Sequence, residues 1–349
     1  SKLRDPNIKP ETEASYEFGT DFRFFNNRLG FDYTFFIRLR YDRLIEADIS
    51  EASGAKKIIT NTAEELRQRG MEFTLTGKPI VTKEFQWESA LNVAYWHWYY
   101  DKLDPVYSSQ DPRIGVGERY DKYFFTDWET DHAGNIVHQA GLPVKNKYQS
   151  VIGYKDPKCI LGWTNRFFYK GFDLSVSIDG RIGGVMYSWT EQAMWHSGVH
   201  PDSDNRWRYD EVVNGKQNYI GSGVKVVSGS ASYDPYGKVL EDTRVFAPND
   251  VPVSYQNYTM NYNENPWDHD ARQNIKNGSF LKLREVALNY TLPATIAQKL
   301  LMKKVRVGVI GQNLLMWTKE FKFSDPDRGK ENLNTPTSRY VGFNIDLTF

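Results

Sequence analysis

The sequence has one cysteine, Cys159, so no internal disulfide can staple it. It has no surplus of charge, because 44 basic side chains balance 44 acidic ones. That balance removes the electrostatic case for a nucleic-acid partner, which needs a basic excess against phosphate. Mean hydropathy is −0.61, and no apolar run reaches the roughly 18 residues that a spanning helix needs, so membrane-crossing helices are excluded. A transmembrane barrel is not excluded, because its apolar residues are diluted by alternation with polar ones. The chain opens Ser1-Lys2-Leu3-Arg4, without a basic and apolar leader. No GxSxG, Walker or dinucleotide fingerprint stands in a fitting context, and Gly180–Gly184 after a strand reads as a bend. Histidines are few, and His132 and His138 lack the Cys or Glu-x-x-His context of a zinc site. Catalysis is not expected.

Aromatic residues are abundant: 22 Tyr, 20 Phe and 10 Trp. Many of them alternate with polar residues. Leu29, Phe31, Tyr33, Phe35, Ile37, Leu39 and Tyr41 share one face, opposite Gly30, Asp32, Thr34, Phe36, Arg38 and Arg40. Strict period two over such a length predicts a strand. The pattern recurs at Tyr16–Phe24, Phe85–Tyr95, Phe172–Ile178 and Val341–Phe349. Across these five strands the apolar face carries no charge, and the other face carries all of them. A slip of one residue would move those charges outward, at roughly 2–4 kcal/mol for each Arg or Lys near a bilayer midplane. Weaker strands are predicted around Met71–Leu75, Leu161–Tyr169 and Val305–Val309, and another over Phe280–Leu292. In that last one the phase change predicts a β-bulge near Arg284.

Nine strands result. Their connections alternate between short (25–28, 77–84, 170–171, 293–304) and long (near 46–63, 101–157, 189–278 and 319–338). A β-sandwich has no reason to keep that order, whereas an outer-membrane barrel has short periplasmic turns and long extracellular loops. With an odd number of strands and a periplasmic end, the chain is expected to start in a surface loop. It then reads as the downstream piece of a longer barrel. Residues 1–349 are thus expected to form the C-terminal portion of an all-β, antiparallel transmembrane barrel, with the plug domain and N-terminal strands outside this chain. The final run Phe343, Ile345, Leu347 and Phe349 resembles the terminal signal read by barrel-insertion machinery.

Several segments carry a family resemblance. Ser279–Pro293 (SFLKLREVALNYTLP) looks like the "SFLRLKNISLGYTLP" strand of the SusC/RagA family of TonB-dependent transporters. Val305–Leu314 (VRVGVIGQNL) is similar to its "LRVYVSGQNL". Upstream, Ile8–Gly19 (IKPETEASYEFG), Phe24–Leu29 (FFNNRL), Gly70–Leu75 (GMEFTL), Asp156–Lys158 and Phe168–Ser175 (FYKGFDLS) follow the family in order. The resemblance implies a plugged barrel of about 22 strands in the outer membrane of a Gram-negative, Bacteroidota-type bacterium. It implies import of oligosaccharide or oligopeptide, energised by TonB acting on the plug. It also implies a SusD-like surface lipoprotein as lid and a dimer of transporter–lipoprotein pairs. Surrounding lipid and the N-terminal part of the same transporter are further expected partners. A passive porin and a soluble glycan-binding β-protein are the alternatives.

For cargo, Trp96, Trp98 and Tyr100 are expected to point inward near the outer rim, where aromatic faces can stack on sugar rings. Trp128, Trp189, Trp195 and Trp207 lie in long loops and are expected to touch cargo, lid or one another. No cofactor is expected beyond a candidate calcium site. Many relatives carry the run D-x-N-x-D-G-x-I-x-x-x-D, and here Asp127, Glu129 and Asp131 keep its first three oxygen positions. His138 stands at the twelfth place and the glycine is displaced, so a solvated polar loop is the plainer reading.

Overall fold

The computed structural model describes residues 2–109, 111–263, 272–328 and 335–349. Its dominant feature is one antiparallel sheet of nine strands in unbroken chain order. They are β1 (Thr12–Phe24), β2 (Leu29–Tyr41), β3 (Glu65–Val81), β4 (Phe85–Lys102), β5 (Cys159–Tyr169), β6 (Phe172–Ile182), β7 (Phe280–Thr291), β8 (Lys304–Thr318) and β9 (Tyr340–Thr348). Both the number and the meander order agree with the alternation read from the sequence.

Register explains why the faces segregate. Phe22, Phe31, Leu75, Leu91, Trp163, Ile178, Leu283 and Leu315 are successive cross-strand partners, making one apolar row over eight strands. Trp87, Phe167, Leu174, Leu288, Val309 and Phe343 make a second. These rows are not a core: Leu315 is 65% exposed and Phe343 is 81% exposed. So broad an open apolar surface marks a contact with protein or lipid. Along β3 the apolar face ends at Met71. Beyond it, Arg69 and Arg67 take the same face toward the long-loop end, where Arg67 meets Asp101 at 2.7 Å. The opposite face is polar. On it Arg40 pairs with Glu13 at 2.8 Å, and Arg166 and Arg306 share Asp173 at 3.0 Å each.

The bulge on β7 falls where expected. Ser177 faces Glu285 and Ile178 faces Leu283, so Arg284 is the extra residue. Leu283 and Val286 therefore both stay on the apolar face, while Arg284 joins Lys282 on the polar one. One short connection is tighter than expected. β3 runs on to Val81 because a register shift between Gly77 and Ile80 accommodates Pro79, which has no N–H to give to a ladder. The connections are then 25–28, 82–84, 170–171 and 292–303. Phe25, Asn26 and Asn27 turn the first with positive φ, and Lys170-Gly171 (φ 43° and 89°) form a two-residue hairpin turn.

The four long connections, 42–64, 103–158, 183–279 and 319–339, gather at the other end. They are more ordered than the sequence suggests. Short ribbons (Lys122–Trp128 with Lys145–Tyr154, and Val224–Ser228 with Val245–Pro248) carry three helices, α1 (Trp189–His196), α2 (Arg206–Asn214) and α3 (Tyr255–Asn263). A fourth, α4 (Ala294–Lys299), lies in the β7–β8 turn.

Candidate ligand-facing site in the loops

The third long loop folds around α3. The spacing of Tyr255, Tyr258 and Tyr262 puts all three rings on one helical face. Tyr219 meets Tyr255 and Tyr258 edge-on, with centroids 5.2 and 4.7 Å away. Trp207 meets Tyr219 at 5.3 Å. Tyr262 stacks on Trp128 at 5.4 Å with planes 6° apart, and His138 stacks on Tyr258. Edge-on and offset pairs are the favourable aromatic geometries. His138 is buried, its Nε2 lies 3.1 Å from the Tyr258 hydroxyl and its Nδ1 3.0 Å from the Ile136 carbonyl. Burial lowers its pKa below the usual histidine value, so the ring is a neutral member of the cluster.

The helices lock together through their ends. Asn205 caps α2 by accepting from the N–H groups of Trp207 and Arg208. Glu211, within α2, accepts from the Tyr255 N–H at 2.5 Å and the Gln256 N–H at 3.2 Å. One carboxylate thus satisfies the orphan donors at the start of α3. Two clefts open beside this core. One of about 250 Å³ is lined by Trp195, Arg208, Glu211, Tyr255, Thr259 and Met260. The other, about 310 Å³, is lined by Trp195, Ile136, Tyr219, Tyr255 and Tyr258. Trp195 borders both. It stacks on His200 at 4.1 Å, and His200 meets Phe323 of the fourth loop at 5.1 Å.

The seven aromatic residues singled out in the sequence do not form one site. Trp128 and Trp207 belong to the ring cluster, Trp195 lines the clefts, and Trp189 packs against Tyr187 at 4.8 Å. On the sheet, Trp96, Trp98 and Tyr100 share the polar face near the loop end of β4. The Arg40 guanidinium covers Trp98 at 4.5 Å, and Tyr100 is buried against Tyr120 at 5.3 Å, where residues 117–120 extend the pairing of β4.

The candidate calcium run is not assembled as a cation cage. Asp127 faces Arg272, 3.4 Å away. Glu129 accepts from Arg244 and from the Tyr233 hydroxyl at 2.8 Å. Asp131 is taken up by its own turn, accepting from Asn135 and Ala133. One-three-five spacing brings oxygens together only in a tight loop, and here Asp127 lies in a strand that pairs with Lys145–Tyr154. Among the described residues no group of three or more His, Cys, Asp or Glu is set to hold a metal.

One charged cluster escaped sequence reading. Lys282 is 2% exposed, and its ammonium donates to Asp325 at 2.7 Å, Asp327 at 2.8 Å and Thr337 at 2.8 Å. Arg284 joins Asp179 and Asp327, each at 2.9 Å. Both ends of the fourth loop are thereby fastened to the polar face of β7. Burial pushes the Asp325 carboxyl up, but Lys282, Thr337 and the N–H groups of Asp327 and Thr337 outweigh it and hold the pKa at about 2.

Taken together, a one-sided apolar meander with short turns at one end and an ordered loop body at the other defines a segment of a transmembrane β-barrel. The particular likeness is to the C-terminal barrel portion of SusC/RagA-type TonB-dependent transporters. No family model matches the chain. The TonB-dependent receptor P3 of Formosa agariphila is 22% identical over 95% of this chain and 32% of its own length. The TonB-dependent receptor SusC of Bacteroides thetaiotaomicron is 25% identical over 53% of the chain and 21% of its own length. The RagAB peptide importer in its open-open state matches with a TM-score of 0.66 and 18% identity, over 99% of this chain and 35% of that one. The chain thus spans about a third or less of the relatives it matches.

Proposed function

We propose that this chain is the downstream part of a TonB-dependent importer in the outer membrane, moving a nutrient by gated passage without covalent chemistry. The observation that carries the reading is the uninterrupted register of apolar residues across the sheet, outside a polar face that bears the loop body. The likeness to TonB-dependent receptors supports it. The remaining strands and the plug would come from the rest of the protein, and TonB would act through that plug. A SusD-like lipoprotein over the loop end completes the reading, paired as a dimer of transporter–lipoprotein units. Cargo is oligosaccharide or oligopeptide. Trp195 and the clefts beside α3 are its contact points in the loops, while Trp96 and Trp98 face the passage at the rim. Mild-detergent purification through a tag on this chain, with mass spectrometry of the co-purifying material, tests the reading. Recovery of barrel, plug and a surface lipoprotein is expected. Recovery of this chain alone, soluble without detergent, would overturn it.

A further inference from the structure

The β7–β8 turn carries two features that its own fold does not require. After α4, Met302 N–H donates to the Ala297 carbonyl and Leu301 N–H to the Gln298 carbonyl, both at 3.0 Å, which is a Schellman closure. That closure places Leu301 in the left-handed region, φ 59°, where glycine is the ordinary occupant and a leucine is strained. The same Leu301 is 90% exposed, the barest large apolar side chain among the described residues. Ile296 and Leu300, one helical turn apart, are exposed beside it, and so is Phe349, next to the Thr348 that pairs with Lys304. Lys299 and Lys303 flank this patch, are exposed and have no carboxylate partner among the described residues, whereas Lys304 shares the polar face with Arg306. The patch continues the apolar face of the sheet at the level where Val305 pairs with Leu347.

We infer that the β7–β8 turn is a membrane anchor, seated in the periplasmic leaflet with Leu300 and Leu301 among acyl chains and Lys299 and Lys303 on anionic phospholipid headgroups. Strain and exposure at Leu301 are costs in water, and burial in lipid removes the second. Apolar residues flanked by lysines are the composition that suits a bilayer interface, with the ammonium groups reaching out to phosphate. The inference rests on the barrel reading above.

The test uses the full-length protein with Cys159→Ser, carrying Leu301→Cys or Phe343→Cys labelled with an environment-sensitive fluorophore. The protein is reconstituted in vesicles of phosphatidylethanolamine and phosphatidylglycerol. Brominated lipid is expected to quench the label at 301 at least twofold, and aqueous iodide to leave it unchanged. Brominated phosphatidylglycerol should quench more strongly than brominated phosphatidylethanolamine, and that difference should vanish when Lys299 and Lys303 are both changed to Gln. Quenching of 301 by iodide, with 343 still quenched by lipid, overturns the anchor and leaves the barrel standing. Shielding of 301 from both quenchers means that protein covers it, which also overturns the anchor. If 343 too escapes lipid quenching, the membrane reading itself has failed.

Discussion

The wall and the loop body are built from the same aromatic-rich composition, yet they hold together in opposite ways. In the wall, the aromatic rings of the apolar rows point away from the polar face in register, and Phe343 and its neighbours stay bare. In the loop body the rings turn on one another, with Trp128, Tyr219, Tyr258 and Tyr262 in mutual contact. The difference shows what each is for. A wall needs an apolar solvent outside and obtains order from backbone ladders. A loop body in water must make its own core, and the part of it left open, around Trp195, holds the clefts proposed for cargo.

Five perturbations sharpen that contrast. The largest effect is expected where the two regions are fastened together. Lys282→Ala leaves Asp325 buried without its ammonium, while Asp327 keeps Arg284, at about 3–5 kcal/mol. Hydrogen exchange should then show residues 319–328 and 335–339 losing protection while β1–β5 keep theirs. The pH dependence has a definite sign. Asp325 has a folded pKa of about 2 against an ordinary 3.8, so its contribution is fully present above the ordinary value. It fades as pH falls from there through 2, and proteolysis of the fourth loop should rise over that window and be flat above it.

Next comes the wall. Leu91→Arg places a cation in the eight-strand apolar row, at about 2–4 kcal/mol if the row lies near the midplane. The neighbouring Asn92→Arg puts the same charge on the polar face. The folded, heat-modifiable band on a denaturing gel should fall for the first and persist for the second. Equal behaviour would mean that the two faces see the same medium. A smaller cost is expected at Gly70, where a Cβ would run into the ring of Phe36. Gly70→Ala should lower thermal stability by about 1–3 kcal/mol, and Gly70→Ala with Phe36→Leu should recover most of it. The smallest effect on fold belongs to Trp195→Ala. It should leave the barrel intact and weaken calorimetric binding of oligosaccharide or oligopeptide cargo by about 1–2 kcal/mol, roughly 5- to 30-fold.

The wall was legible because its signal is local and redundant. Leu29–Tyr41 shows period two over its whole length, and the phase break at Arg284 marks the bulge without any knowledge of partners. The loop body was not legible for the converse reason. Its ribbons are short, and its core joins residues far apart, as Trp128 with Tyr262 or Glu129 with Arg244. One local signal was available: Tyr255, Tyr258 and Tyr262 share a helical face, and that spacing would have located α3. The carboxylate spacing at Asp127–Asp131 could not be turned into a geometry from sequence, because a paired strand, not a tight turn, carries its first residue. Lys282 could not have been ranked above other inward charges, since its partners come from 325–337.

The central claim is that the sheet crosses a membrane, with long loops on the cell surface and short turns within. Single-cysteine variants of the full-length protein test it in cells, with Val213→Cys in α2 and Lys83→Cys in the β3–β4 turn, each on a Cys159→Ser background. A membrane-impermeant maleimide should label 213 in intact cells and 83 only after the outer membrane is permeabilised. Equal labelling of both sites in intact cells, or labelling of 83 before 213, would contradict the account.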